Sequence, residues 1–431
     1  MICIRDPLHF SDKMLVLPVN LFYVCALCDG RHSVVDIQAD YMRKFGEMIF
    51  SEKVKEIVGK LDDCLFLESP HFEEEKGRML EVFRGDPVRH ATHAGSAYES
   101  EAEALRRQLD GCYADPQGPQ PKAADDPAAV APPAGGQAPT TLSESPRLEA
   151  VMAPHIDPRR GGACYAWSYA EVASRSPAET FVILGICHTP TTRRFALTKK
   201  HFETPLGTVE TDHALVDSLA GRCTVDFFAD EYAHAGEHSI EFQVLFLQHL
   251  FAARRQPGRG EPKIVPILCS SFFHGEAAQE AQAGGSAVPT EAADFLSALR
   301  ETLEEGREDV CIIAAVDLSH LGRRFGQDVR LSPGFTAEAE RNDRKMLESV
   351  MARDPEAFLD GIRRENDRRN VCGVPAIYTM LSVLGPGSAK LLRYGQAEEP
   401  QTQSLVTFAS AAFYAGEEPK ESVPPLNPAT A

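Results

Sequence analysis

The chain has 431 residues, 43% hydrophobic and 25% charged, ordinary proportions for a globular protein long enough for two domains. Its 44 basic residues against 63 acidic ones give a net charge of −19, which works against non-specific nucleic-acid binding. No apolar run approaches the roughly 20 residues of a membrane helix. The first residues, Met1-Ile2-Cys3-Ile4-Arg5-Asp6, lack the charged start and apolar core of a secretion signal, and the 11 cysteines are odd in number and irregularly spaced, so a cytoplasmic protein with reduced thiols is expected.

In chain order, Val19 to Leu27 is apolar at helical spacing. A turn follows at Asp29-Gly30-Arg31-His32-Ser33, where Ser33 can cap a helix over Val34–Tyr41. Another helix is expected over Ser51–Asp62, then a short strand at Cys64-Leu65-Phe66-Leu67-Glu68. Cys25-Ala26-Leu27-Cys28 lies inside an apolar helical run and has no second pair, so it reads as structural rather than as a zinc site. This order over residues 1–75 resembles the small winged-helix modules of PqqD type, and the resemblance implies a docking or lid module. Residues 76–92 form a charged connector. The Pro-, Ala- and Gly-rich stretch at 113–147 cannot bury enough apolar surface to offset its ordering entropy. It is expected to be a disordered insertion, as is 276–289, and 417–431 a disordered tail.

Beyond residue 148 apolar runs and helical patterns alternate. Strands are expected at 149–153, 180–186, 264–269, 310–316 and 403–408. Helices are expected at 165–174, 212–220, 239–252, 291–304, 335–350, 355–361 and 373–384. The pattern predicts an α/β domain over 93–416, a central mixed sheet with helices on both faces.

Three of the apolar runs finish on a histidine: His155 after Val151-Met152-Ala153-Pro154, His188 after Phe181 to Cys187, and His320 at the end of Cys311 to Ser319. Ligands bind outside the carboxyl ends of strands in open α/β sheets, so these imidazoles can converge. Within Asp317-Leu318-Ser319-His320, alternation puts Asp317 and Ser319 on one side of a strand and His320 on the other, although a strand exit loosens that rule. Two histidines with a carboxylate suit non-haem iron. His238, in Glu237-His238-Ser239-Ile240-Glu241, opens a helical pattern and shares a face with Glu241, which can fix its tautomer. His234 reads as solvated. A Ser319/His320 hydrolase is disfavoured, since no Gly-x-Ser-x-Gly elbow surrounds Ser319.

His93-Ala94-Gly95-Ser96-Ala97-Tyr98, Ala153-Pro154-His155, Leu184-Gly185-Ile186-Cys187-His188-Thr189, Glu237-His238-Ser239-Ile240-Glu241, Val265-Pro266-Ile267-Leu268, Asp317-Leu318-Ser319-His320, Cys372-Gly373 and Tyr394-Gly395-Gln396 stand in the order seen in the Memo family. Over roughly residues 88–415 the chain resembles that family, whose microbial members are called AmmeMemoRadiSam system protein B. The resemblance implies a fold like that of class III extradiol dioxygenases and a cleft holding iron or copper through two histidines and a cysteine. It places the histidines at His155 and His188 and the cysteine at Ser319, a departure that lowers the preference for copper(I). The third ligand is then expected from Asp317, Ser319 or His320, with iron the expected metal and His238 and His320 as acid–base groups. The resemblance also implies a radical-SAM protein and an AMMECR-type protein as partners. The rival reading is a scaffold whose cleft captures a peptide or a partner's tail, with Arg159 and Arg160 reading carboxylate or phosphate.

Overall fold

The computed structural model describes residues 1–120, 146–253, 260–272, 288–305 and 309–416. Most of the expected insertion at 113–147, nearly all of 276–289 and all of 417–431 lie outside the described residues. The chain divides into two units, Met1–Pro87 and the remainder from Val88. Among the described residues no helix is long and apolar enough to cross a membrane.

In the first unit β1 (Ile2–Arg5) pairs antiparallel with β2 (Met14–Leu17), and four helices follow: α1 (Val19–Ala26), α2 (Val34–Phe45), α3 (Ser51–Asp63) and α4 (Pro70–Gly85). The Ser33 side chain accepts from the Asp36 amide while the Asp36 carboxylate accepts from Ser33, a reciprocal cap that starts α2. Val24, Ile37, Tyr41, Val54, Ile57 and Leu61 make the core. The strand expected at Cys64–Glu68 does not form. Leu65 is left-handed (φ 60), and Phe66 N donates to Leu61 O, so the run closes the end of α3 instead. The charged residues expected as a connector lie largely in α4, which Ser69 caps and Pro70 begins.

The second unit begins with β3 (Val88–Arg89), α5 (Ala102–Ala114), β4 (Leu148–Ala153), α6 (Pro158–Arg175), β5 (Thr180–Ile186), β6 (Phe195–Leu197), β7 (His201–Thr204), β8 (Gly207–Thr211) and α7 (His213–Arg222). It continues with α8 (His238–Ala253), β9 (Lys263–Cys269), α9 (Thr290–Glu305), β10 (Val310–Ala315), β11 (Asp317–Gly322), α10 (Pro333–Met351), α11 (Pro355–Arg364), α12 (Val374–Val383), β12 (Gly387–Glu399) and β13 (Ser404–Ala415). One 11-stranded sheet runs β11-β13-β4-β10-β5-β9-β8-β7-β3, with β12 on β13 and β6 on β9. The centre β4-β10-β5-β9 is parallel, and β13 joins β4 antiparallel, so the sheet is mixed.

Both faces are covered, which explains the unbroken apolar runs of the central strands. Met152, Leu184 and Ala314 pack with Leu219, Phe295, Leu347 and Ile377 on one face. Val151, Ile183 and Ile313 pack with Leu105, Tyr169 and Phe246 on the other. Each strand and helix expected beyond residue 148 is present. β6 to β8, β11 and β12 were not expected, because they are short or carry polar residues that hide the period-two signal.

Parallel pairing sets Ala315 of β10 level with Ala153 of β4, and Ala314 level with Leu184 of β5, so the three strands end at one edge. Gly185 lets α8 approach β5 there: a Cβ would lie 2.6 Å from Ile240 Cγ1 and 2.7 Å from Ser239 Oγ. Gly185→Ala should therefore cost about 1–3 kcal/mol, seen as a lower denaturation midpoint at unchanged m-value.

Candidate metal centre

His155 follows the end of β4 and is buried. Its Nδ1 lies 2.9 Å from Ala315 O. A carbonyl only accepts, so Nδ1 carries the proton and Nε2 keeps its lone pair. Burial first, then the neighbouring His188, push this imidazole down to about 3, so it is neutral. The turn is held by Asp317, whose Oδ1 accepts from the amides of His155 (3.0 Å) and Ile156 (3.2 Å). Asp317 Oδ2 lies 3.7 Å from His155 Nε2.

His188 follows β5. Its amide donates to Glu237 Oε2 at 2.9 Å, and its Nδ1 is 3.1 Å from both Glu237 oxygens. Nδ1–H is thereby committed and Nε2 is left as the ligand atom. Burial pulls this imidazole down, but the Glu237 carboxylate more than offsets it and leaves it raised. Glu237 is buried, yet burial is outweighed by His188, His238 and their hydrogen bonds, which hold its carboxyl well below the usual range. Its Oε1 also accepts from the amides of His238 (2.9 Å) and Ser239 (3.0 Å), capping α8, and lies 3.2 Å from His238 Nδ1.

One carboxylate thus orients two rings. His188 and His238 stack at 4.8 Å, and His155 meets them edge-on at 5.1 and 5.4 Å. His93 adds a fourth ring 5.6 Å from His238. Glu241 does not fix the His238 tautomer as expected. It receives the Arg89 guanidinium, the Tyr98 hydroxyl and the His93 amide, tying residues 89–98 to α8. His234 is buried rather than solvated, its Nε2 3.0 Å from Ala196 O.

The thiol beside these imidazoles belongs to Cys372, just before α12. Its Sγ is 3.4 Å from His155 Nε2 and 3.7 Å from Asp317 O. Gly373 permits the approach, since a Cβ there would lie 2.6 Å from Asp317 O. Burial pushes the Cys372 thiol far up, so taking a metal means losing a proton. One ligand atom each from His155, His188 and Cys372 fall within 4.8 Å of one another. His188, Glu237 and His238 meet the same test, but their contacts are those hydrogen bonds of the α8 cap. Two tautomer-locked imidazoles and a thiol suit a soft or borderline first-row metal.

Ser319 is not part of this group, which corrects the expected position of the cysteine. Its hydroxyl donates to Asp343 Oδ1 at 2.6 Å and accepts from Arg369 at 3.1 Å. The strand alternation fails because the β11–β13 register shifts between Asp317 and His320. His320 has its Nδ1 3.1 Å from Leu318 O and its ring edge-on to Phe325, so Ser319 and His320 form no nucleophile–base pair. Arg159 donates to Ser96 O, and Arg160 pairs with Asp157 and Glu399, so both guanidinium groups serve their own chain.

The model of the Memo-like protein family matches residues 89–412. The chain belongs to the Memo-like family. A MEMO1 family protein of Aquifex aeolicus is 25% identical over 418 residues, covering 95% of each chain and thus reaching into the first unit. Relatives from Methanopyrus kandleri (28% identity; 75% of this chain, 98% of the relative) and Methanothermobacter thermautotrophicus (30%; 71% and 92%) match shorter spans. For this Memo-like chain, Glu237→Gln should lower the His188 pKa, because the carboxylate that raises it is gone. An NMR titration of the histidine ring protons checks this.

Proposed function

We propose that His155, His188 and Cys372 hold one redox-active metal ion, iron or copper, in a dioxygenase-like site. The supporting observation is that Ala315 O and Glu237 commit both Nδ1 atoms and leave both Nε2 lone pairs for the group that Cys372 joins. The thiol restores the softness that a serine ligand would remove, so copper(I) stands beside iron. A bound ion of either kind supplies Lewis-acid and one-electron chemistry.

The remaining roles fall to the chain itself. His238 has Nδ1 turned to Glu237, so its Nε2 accepts a hydrogen bond from a substrate hydroxyl. Burial and the neighbouring imidazoles push this ring down to about 3, so it stays neutral and able to accept, and the Glu237 carboxylate offsets part of the cost of charging it. Asp317 keeps the His155 turn closed, and His320 presents Nε2 as a further proton acceptor. Protein purified without oxygen should carry one metal ion per chain by elemental analysis. His155→Ala, His188→Ala and Cys372→Ala should each remove it, and Ser319→Ala should retain it. Metal-loaded protein should consume oxygen with some member of a catechol panel. Wild-type protein that stays metal-free after anaerobic loading with iron or copper(I) would sink the reading.

A second reading, a scaffold for a radical-SAM and an AMMECR-type protein, draws on a different observation. Among the described residues, the exposed large apolar side chains all lie in Met1–Pro87, including Met14, Val35, Met42, Met48 and Phe50. An exposed apolar set confined to one unit is where a partner would dock. On this reading, full-length protein with Met42→Ser and Phe50→Ser should lose binding to such partners in a pull-down while keeping its metal. Unchanged binding would dismiss the role of this surface.

A further inference from the structure

Cys372 ends a loop that follows α11, and that loop has an irregular backbone. Asn366, Asp367 and Asn370 all have left-handed backbones (φ 53, 44 and 49). Asn and Asp tolerate this region better than other side chains, so the loop's path is set by what holds it. Part of the restraint is local: Asp367 Oδ1 accepts from Val371 N at 2.9 Å and Asp367 O from Asn370 N at 2.8 Å. The rest comes from β11. His320 N donates to Arg369 O at 2.8 Å, Asn370 Nδ2 donates to His320 O at 3.1 Å, and Gly373 N donates to Asp317 O at 3.2 Å.

Arg369, between these tethers, sends its side chain inward. It is 4% exposed, an unusual state for a guanidinium. One amino group donates to Asp343 Oδ1 at 2.5 Å and to Ser319 Oγ at 3.1 Å. Nε donates to both oxygens of Glu365 at 3.1 and 3.0 Å, and the second amino group to Glu365 Oε1 at 2.5 Å. Asp343 is completed by the hydroxyls of Tyr394 (2.9 Å) and Thr407 (2.6 Å), which anchor it to β12 and β13. The charge at the loop is therefore fastened to α10, to the residue that closes α11 and, through Asp343, to two strands, three residues before the thiol.

We infer that Arg369 is a positioning residue: clamped by Asp343 and Glu365, it fixes the left-handed loop so that Cys372 Sγ faces His155 Nε2. Ser319, where the family resemblance placed a ligand, serves this clamp instead. The inference rests on the metal-centre reading for its purpose, but the clamp can be tested without metal.

The test uses the full chain with Arg369→Gln and two readouts. The first is the rate at which N-ethylmaleimide labels Cys372 in the metal-free protein, followed by peptide mapping. Cys164, buried and bonded to Ser410 in the same unit, reports global opening. The second is Co(II) affinity by chelator competition, with the thiolate-to-metal absorption band as signature. Cys372 labelling should rise on the order of ten-fold while Cys164 stays constant. Co(II) affinity should fall roughly ten- to hundred-fold with a weakened band. Unchanged Cys372 labelling, a parallel rise at Cys164, or wild-type Co(II) affinity and band in the variant would each overturn the inference. If Arg369→Gln does not fold, Glu365→Gln, which removes one jaw at a less buried position, decides by the same outcomes with smaller changes. If the wild type takes no Co(II), the metal reading fails for that ion and labelling alone decides the clamp.

Discussion

The geometry of the cleft depends on one buried carboxylate. Glu237 accepts from the backbone of His188 at the exit of β5 and from the first amides of α8, and it takes the Nδ1 side of two imidazoles. A buried charge is tolerable only when its lone pairs are filled. Here the partners that fill them are those that must be oriented. A strand end, a helix start and two rings are fixed by a single side chain, and the helix dipole favours its charge.

The same helix repeats the device one turn later. Glu241, four residues on, is fully buried and gathers Arg89, Tyr98 and the His93 amide. Glu237 thus faces the cleft, while Glu241 secures the segment that carries His93 against His238. Asp343 does comparable work on the far side of β11. With Asp317 at the His155 turn, four buried acids hold the walls of the cleft. Each is tolerated there because amides, hydroxyls or a guanidinium fill its lone pairs.

Much of this was legible in the sequence, for physical reasons. Strands covered on both faces must be apolar throughout, so β4, β5 and β10 stand out, and the polar residues that end them mark the sheet edge where His155 and His188 meet. The sequence Glu-His-Ser-Ile-Glu also announced a helix start, but spacing alone could not say which glutamate turned toward His238. Cys372 was harder to find. It follows an irregular loop, and its signal was a cysteine beside a glycine at a helix start. Ser319 misled because the family resemblance was carried onto it by motif order, which could not show that its hydroxyl turns to Asp343 while the thiol beside His155 comes from Cys372, 53 residues further on. The strands β6 to β8, only three to five residues long, were too short to carry a readable period.

The strand order has a consequence for how a newly made chain matures. β13, the last strand, sits inside the sheet with β12 along one edge and β11 and β4 in turn along the other, and Cys372 is 217 residues beyond His155. While the ribosome is still making the final segment, the sheet lacks an interior member and the thiol has no fixed partner. The sheet that carries this pocket is therefore completed only by the last strand, long after the residues of β4 and β5 have been made.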